Sequence, residues 1–210
     1  MKRGKFITFE GPDGSGKTTV STAVTELLEK AGYPVRYTRE PGGSTIAEKI
    51  RNVILDPANT AMDARTEALL YAASRRQHLV EVILPALQSG THVISDRFVD
   101  SSLAYQGCGR HLGIEEVFSV NRFAIDEWMP DKTIYLDIDA ATGLQRIKGR
   151  SFLDRLDQEG LSFHQDVWDG YQQIIRKYAD RMIIVDALRP AEEVIAEAFH
   201  IVKGLLDEES

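Results

Sequence analysis

The stretch Gly11-Pro12-Asp13-Gly14-Ser15-Gly16-Lys17-Thr18 constrains this chain more than any other. It fits GxxxxGK[ST] and sits between two legible elements. Before it, KFITFE (Lys5–Glu10) is a short β-branched and aromatic run that reads as a buried strand. After it, Thr18–Lys30 carries apolar residues at Val20, Ala23, Val24, Leu27 and Leu28, which is helical spacing. Glycines between a strand and a helix let the backbone wrap with its N–H groups inward. Those donors and the helix N-terminus suit the phosphates of ATP. In such a cradle Lys17 reaches the β- and γ-phosphates and the Thr18 hydroxyl is a ligand for Mg²⁺. A glycine-rich turn with no ligand is the plainer alternative, and the complete motif in its required context outweighs it.

The same alternation continues along the chain. Val35–Thr38, His92–Ser95, Thr133–Ile138 and Met182–Asp186 are expected as further strands. Helical spacing covers Ala47–Leu55, Thr66–Leu87 with a kink at Pro85, Ile114–Ile125, Ala140–Lys148, Phe163–Tyr178 and Ala191–Leu206. Five short apolar strands alternating with helices imply an α/β fold: a five-stranded parallel sheet flanked by helices on both faces. No linker or repeat interrupts the pattern, so residues 1–210 are expected to form a single domain. Residues 149–160, polar and weakly periodic, are the candidate for a small flexible lid.

Composition narrows the function. The 210 residues are 43% hydrophobic and 27% charged, a globular balance. The net charge is −7, and no basic run is longer than a pair such as Arg75-Arg76, so nucleic acid is not an expected partner. A single cysteine, Cys108, excludes an internal disulfide, and the five histidines form no HExxH. The apolar run near the start is too short for a signal peptide, and no run reaches the length of a membrane span. A cytoplasmic protein with no membrane partner is therefore expected. A GTP switch would need NKxD, and no Asn is followed by Lys; Asp157–Gly160 matches DxxG but lies too far downstream to serve.

Four further stretches appear in order: REPGG (Arg39–Gly43), YAASRRQH (Tyr71–His78), SDRFVDSSLAYQG (Ser95–Gly107) and PDKTIYLD (Pro130–Asp137). With the P-loop they resemble the bacterial thymidylate kinases, of the adenylate-kinase-like P-loop group, over nearly the whole chain. The resemblance implies a P-loop NTPase fold, transfer of the γ-phosphoryl group of ATP to dTMP with Mg²⁺, and a homodimer. The acceptor phosphate has a second pKa of about 6, so no general base is required. What the reaction needs is cations and alignment.

Arg39 and Arg97 lie just past strands two and three, where a doubly wound sheet binds its ligand. They are expected at the acceptor phosphate or the transferred group; the plain alternative is solvated surface arginine. The resemblance adds Arg51 and Pro41 to the dTMP site. Asp96 is placed to hold Mg²⁺ with Thr18, or to cap a helix. By resemblance Asp13 accepts from the sugar 3′-hydroxyl; relatives often have Glu there. Tyr71 and Arg75 are four apart on one helix face, suited to stacking on the pyrimidine and donating to thymine O4. The family usually has Phe where Tyr71 stands. Ser102 and Gln106 are likewise four apart; Gln106 can meet N3–H, and Tyr105 can crowd the 2′ position. Since no arginine stands in the P-loop, the resemblance moves the catalytic arginine to the lid, to Arg150 or Arg155, with Arg146 against adenine. Rival readings are another nucleoside or nucleotide kinase, and a P-loop ATPase acting as a switch.

Overall fold

The computed structural model describes residues 2–149 and 154–208. Among them five strands form one parallel sheet in the order β2-β3-β1-β4-β5: β1 Phe6–Glu10, β2 Val35–Arg39, β3 His92–Asp96, β4 Lys132–Asp137 and β5 Met182–Asp186. The expected α/β architecture is what is found. Central β1 is buried at every position because both of its faces are covered. Ile7 and Phe9, with Ile94, Ile134 and Leu136, pack under α1 (Lys17–Lys30). Val194, Ala198 and Val202 of a C-terminal helix, Ala191–Asp207, complete that layer. Phe6, Val93 and Tyr135 point the other way, into a layer that includes Tyr71, Leu79, Leu103, Val117, Val167 and Tyr171. Thr8 and Thr133 bridge β1 and β4 at 2.9 Å within that layer.

Further helices follow in the second layer. They are α2 (Thr45–Leu55), α3 (Ala64–His78), α4 (Leu84–Gln88), α5 (Val99–Ser102) and α6 (Ile114–Ile125). Of these, α2, α3 and α5 reach the carboxyl edge of the sheet. Two more, α7 (Ala140–Ile147) and α8 (Leu161–Lys177), flank the lid, and Ala191–Asp207 becomes α9. The long helix expected over Thr66–Leu87 is divided. A wide π-helical turn at Leu79–Ile83 separates α3 from α4, and Pro85 falls in the first turn of α4. Proline has no N–H to donate back, so it is tolerated where a helical segment begins. A second π-helical stretch, Leu103–Gly109, follows α5. The sequence showed this region only through the spacing of Ser102 and Gln106.

The P-loop is wedged against α7. A Cβ at Gly14 would lie 2.3 Å from the Gly143 carbonyl oxygen, and one at Gly143 would lie 2.4 Å from that of Asp13. Both contacts are with backbone, which cannot swing aside. Gly143→Ala gains about 1 kcal/mol of helix propensity, but overpacking costs about 1–3 kcal/mol. The clash should win: denaturant unfolding should show Gly143→Ala less stable than the parent. A gain in stability would refute the close approach.

Candidate active site

The cradle is built from backbone. Gly14 and Gly16 have φ of 81° and 87°, a left-handed conformation that costs glycine nothing. Gly16 stands at the N-terminus of α1, so the first N–H groups of that helix face the loop. Lys17 is buried, and its Nζ donates to the carbonyl oxygens of Gly11 (2.9 Å) and Pro12 (2.8 Å), with Ser15 Oγ at 3.3 Å. Burial, and then the neighbouring Arg97 charge, bring its pKa down to about 8.

Thr18 Oγ1 donates to Asp96 Oδ2 at 2.5 Å. Asp96 is 6% exposed, and its other oxygen, Oδ1, is buried with no hydrogen-bond partner. An orphaned carboxylate oxygen beside a hydroxyl suits a hard divalent cation. Mg²⁺ commonly takes one or two protein ligands and fills its shell with water and phosphate. Among the described residues no group of three or more His, Cys, Asp or Glu could hold a metal.

Across from the cradle, Arg97 holds φ at 73°, with its N–H on the Phe9 carbonyl (2.9 Å). Its Nη2 donates to Asp13 Oδ1 (2.5 Å) and to Tyr105 Oη (3.3 Å), and its Nη1 to Ser101 Oγ (3.0 Å). Tyr105 Oη donates to Asp13 Oδ2 at 2.8 Å. Burial pushes the Asp13 carboxyl up, but Arg97 and Lys17 outweigh it and hold the group below the usual carboxylate range. Arg39 and Arg51 converge on one acceptor, each donating to the Pro41 carbonyl at 2.8 Å, and Arg39 also pairs with Glu48 at 3.0 Å.

These groups share one cleft that opens to solvent. It is lined by Lys17, Thr18, Asp96, Asp13 and Arg97, and also by Arg39, Arg51, Pro41, Tyr71, Tyr105 and Gln106. Arg75 and Ser102, 2% and 1% exposed, are not on its wall. Arg75 donates from Nε to Glu40 (2.7 Å), from Nη1 to Ser102 Oγ (3.0 Å) and Asn121, and from Nη2 to the Phe98 carbonyl (3.0 Å). Four of its five N–H groups are engaged in this way. The π-helical turn sends Ser102 and Gln106 to different partners: Ser102 to Arg75, and Gln106 to Glu67 at 2.8 Å.

The lid arginines divide. Arg150 lies outside the described residues. Arg155, expected over the transferred group, is instead 8% exposed and turned away from the cleft. Its Nη2 meets Glu67 at 2.5 Å and its Nε donates to the Ile54 carbonyl at 3.0 Å. A fully buried carboxylate draws the nearest guanidinium to it, and that pull decides where Arg155 goes. From the same segment Asp154, Leu156 and Asp157 line the cleft. Arg146 is exposed on the outer side of the P-loop, donating to the carbonyls of Gly14 (3.4 Å) and Ala187 (3.1 Å). Buried carboxylates that order the residues around the cleft were missed by sequence reasoning. Glu40 holds Arg75 and His78 (3.0 Å), and Glu67 holds Gln106, Arg110 and Arg155. The signal for Glu67 was present: it stands one helical step before Tyr71 on the stripe that Tyr71 and Arg75 continue.

A cradle for one phosphate chain that faces cations for a second anion, at the carboxyl edge of a parallel sheet, defines a P-loop phosphotransferase. The thymidylate kinase family model matches residues 9–198. A thymidylate kinase from Lactobacillus delbrueckii subsp. bulgaricus is 56% identical over 209 residues, covering 98% of this chain and 99% of that protein. One from Geobacillus sp. is 55% identical over 196 residues, covering 92% and 93%. The crystal structure of thymidylate kinase from Ehrlichia chaffeensis matches with a TM-score of 0.79 at 32% identity, covering 96% of this chain and 99% of that one. This chain belongs to the thymidylate kinase family.

The buried Lys17 makes a testable pH dependence. Only the charged form of a lysine attracts phosphate, and burial brings the pKa of Lys17 down to about 8. Affinity for a nucleoside triphosphate, read by calorimetry, should then fall up to about tenfold per pH unit above that point. Lys17→Arg, always charged, should abolish this alkaline limb even if it binds more weakly overall.

Proposed function

We propose that this chain moves the γ-phosphoryl group of ATP in line onto the phosphate of dTMP, with Mg²⁺ and without a general base. dTMP kinase is the activity that comes with membership of the family. The observation that carries the route is the single cleft that has Lys17 and Thr18 on its wall together with Tyr71, Gln106 and the arginines 39, 51 and 97. The P-loop N–H groups and Lys17 bind the donor phosphates. Thr18 and Asp96 would hold Mg²⁺, which when bound offsets the negative charge of the phosphates.

Arg39 and Arg97 hold the acceptor phosphate against repulsion from the donor, and Arg51 supports them. Asp13 orients Arg97 and accepts from the sugar 3′-hydroxyl, while Tyr105 crowds the 2′ position. Tyr71 stacks on the pyrimidine. Arg75 donates its remaining N–H to O4, and the Gln106 amide oxygen accepts from N3–H. Arg146, on the outer side of the cradle, meets adenine. Arg150 is the proposed catalytic lid arginine. We place the enzyme in the cytoplasm; among the described residues no helix is long and apolar enough to cross a membrane. The homodimer is supported by exposed Val53, Leu69 and Phe123 on α2, α3 and α6. One domain over 1–210 is the corresponding proposal for its organisation.

A panel of nucleosides and monophosphates, assayed with ATP for ADP formation, tests this reading. dTMP should be preferred over dCMP by at least about a thousandfold in kcat/KM, the discrimination typical of sites that read hydrogen bonds. ATP hydrolysis of equal rate with or without dTMP would overturn it.

The two lid arginines should fail differently. Arg150→Ala should lower kcat by roughly ten- to a thousandfold, with dTMP affinity and melting temperature unchanged. Arg155→Ala leaves the buried Glu67 short of a partner at a cost of about 3 kcal/mol. That should drop the melting temperature by roughly 6–12 °C for a chain of this size. The reverse pattern would make Arg155 the catalytic group.

A further inference from the structure

Gln106 is the one residue proposed to touch N3 of the base, and its amide has two possible settings. With oxygen toward the cleft it accepts from N3–H, as thymine requires. With nitrogen toward the cleft it donates to an unprotonated N3, as in cytosine. Nothing in an amide itself prefers one setting, because its two ends are nearly the same shape. The partner on its far side must decide.

That partner is Glu67. It is fully buried, and it accepts from Gln106 Nε2 at 2.8 Å, Arg155 Nη2 at 2.5 Å and Arg110 Nε at 3.2 Å. A carboxylate between two guanidinium groups accepts and does not donate. Gln106 can therefore present only its NH₂ end to Glu67, which leaves its carbonyl oxygen as the group offered to the cleft. Gln106 is itself 1% exposed, so water does not compete for that NH₂. A flipped amide would set oxygen against carboxylate in a buried place, where an unsatisfied acceptor is costly.

Arg155 and Arg110 hold Glu67 in turn. Arg155 belongs to the lid segment, residues 149–160, and Arg110 pairs with Glu159 near the end of that segment (2.6 Å). The base reader and the lid segment thus share one buried anion.

We propose that Glu67 is a positioning residue for base specificity: it locks the amide of Gln106 so that the cleft takes pyrimidines carrying a hydrogen on N3 and rejects cytosine. This rests on the reading of Gln106 as the N3–H acceptor, and the experiment separates the two.

The measurement is the ratio of kcat/KM for dTMP to that for dCMP, in Glu67→Gln, Glu67→Asp, Gln106→Met and the double variant Glu67→Gln with Gln106→Met. A Gln at 67 can donate as well as accept, so the Gln106 amide is released to turn. The ratio should fall at least about tenfold, through a gain for dCMP as well as a loss for dTMP. Glu67→Asp keeps the charge for both arginines and draws back from Gln106, so the ratio should fall less. In the Gln106→Met background the Glu67 change should leave the ratio where Gln106→Met has already put it. A general structural role would lower both activities together and leave the ratio alone.

If Gln106→Met lowers the ratio and neither Glu67 variant does, the proposal is overturned and the reading of Gln106 stands. If Gln106→Met leaves the ratio unchanged, both fall. In the wild-type protein, where folding is not in question, the Gln106 side-chain NH₂ should stay slow to exchange and keep its amide resonances when dTMP binds. Transfer of those protons toward the base would also overturn the proposal.

Discussion

The carboxylate of Glu10 lies wholly buried at the end of the central strand, and the site depends on it. It accepts from the backbone N–H groups of Phe98 (2.7 Å) and Ser101 (3.2 Å), from Ser101 Oγ (2.5 Å) and from Tyr171 Oη (2.9 Å). These bonds tie the start of α5 to β1 and fasten α8 over both. Arg97 lies between β3 and that tie, which fixes it against the P-loop residue Asp13. Burial, together with the nearby Asp100, lifts the Glu10 carboxyl to about 7, so the anchor is held in place against a real desolvation cost. The polar donors converging on it offset that cost, and an apolar residue could not gather them.

The same logic orders the cations. Each arginine on the cleft rests on an oxygen of the protein: Arg97 on Asp13, Arg39 on Glu48, and Arg39 and Arg51 together on the Pro41 carbonyl. Lys17 rests on carbonyls of its own loop. A phosphate bound as proposed would exchange with these oxygens and would not have to draw loose side chains out of water. Much of the orienting cost is met during folding, which is what electrostatic preorganisation requires.

The sheet was legible in the sequence because burial on both faces leaves short, nearly continuous apolar runs; all five strands stand within a residue or so of their expected limits. The P-loop was legible because backbone chemistry demands glycine and lysine at fixed spacing. Arg39, Arg51 and Arg97 were legible through strand-end position and resemblance, and they do line the cleft. Two π-helical turns were not, since apolar periodicity averages over one widened turn. Nor was the fate of Arg155. Charge in a polar segment reads as solvated or catalytic, and only the fold brings a buried carboxylate from α3 within its reach.

Arg155 shows why buried acidic groups are hard to read from a linear pattern. Glu67 sits on a helix stripe with Tyr71 and Arg75, where an acid looks like a first-turn residue suited to the helix dipole. It is buried among α2, the π-helical stretch and the lid segment, elements that the fold brings to it. Once buried, a lone carboxylate would carry a penalty of several kcal/mol, so each donor around it is held tightly. Gln106, Arg110 and Arg155 are therefore not independent: the acid that orients the amide also fixes both guanidiniums. A change at any one of the three alters the field at the other two. On the proposed reading of Gln106, specificity for the base and the position of Arg155 in the lid segment share one electrostatic origin.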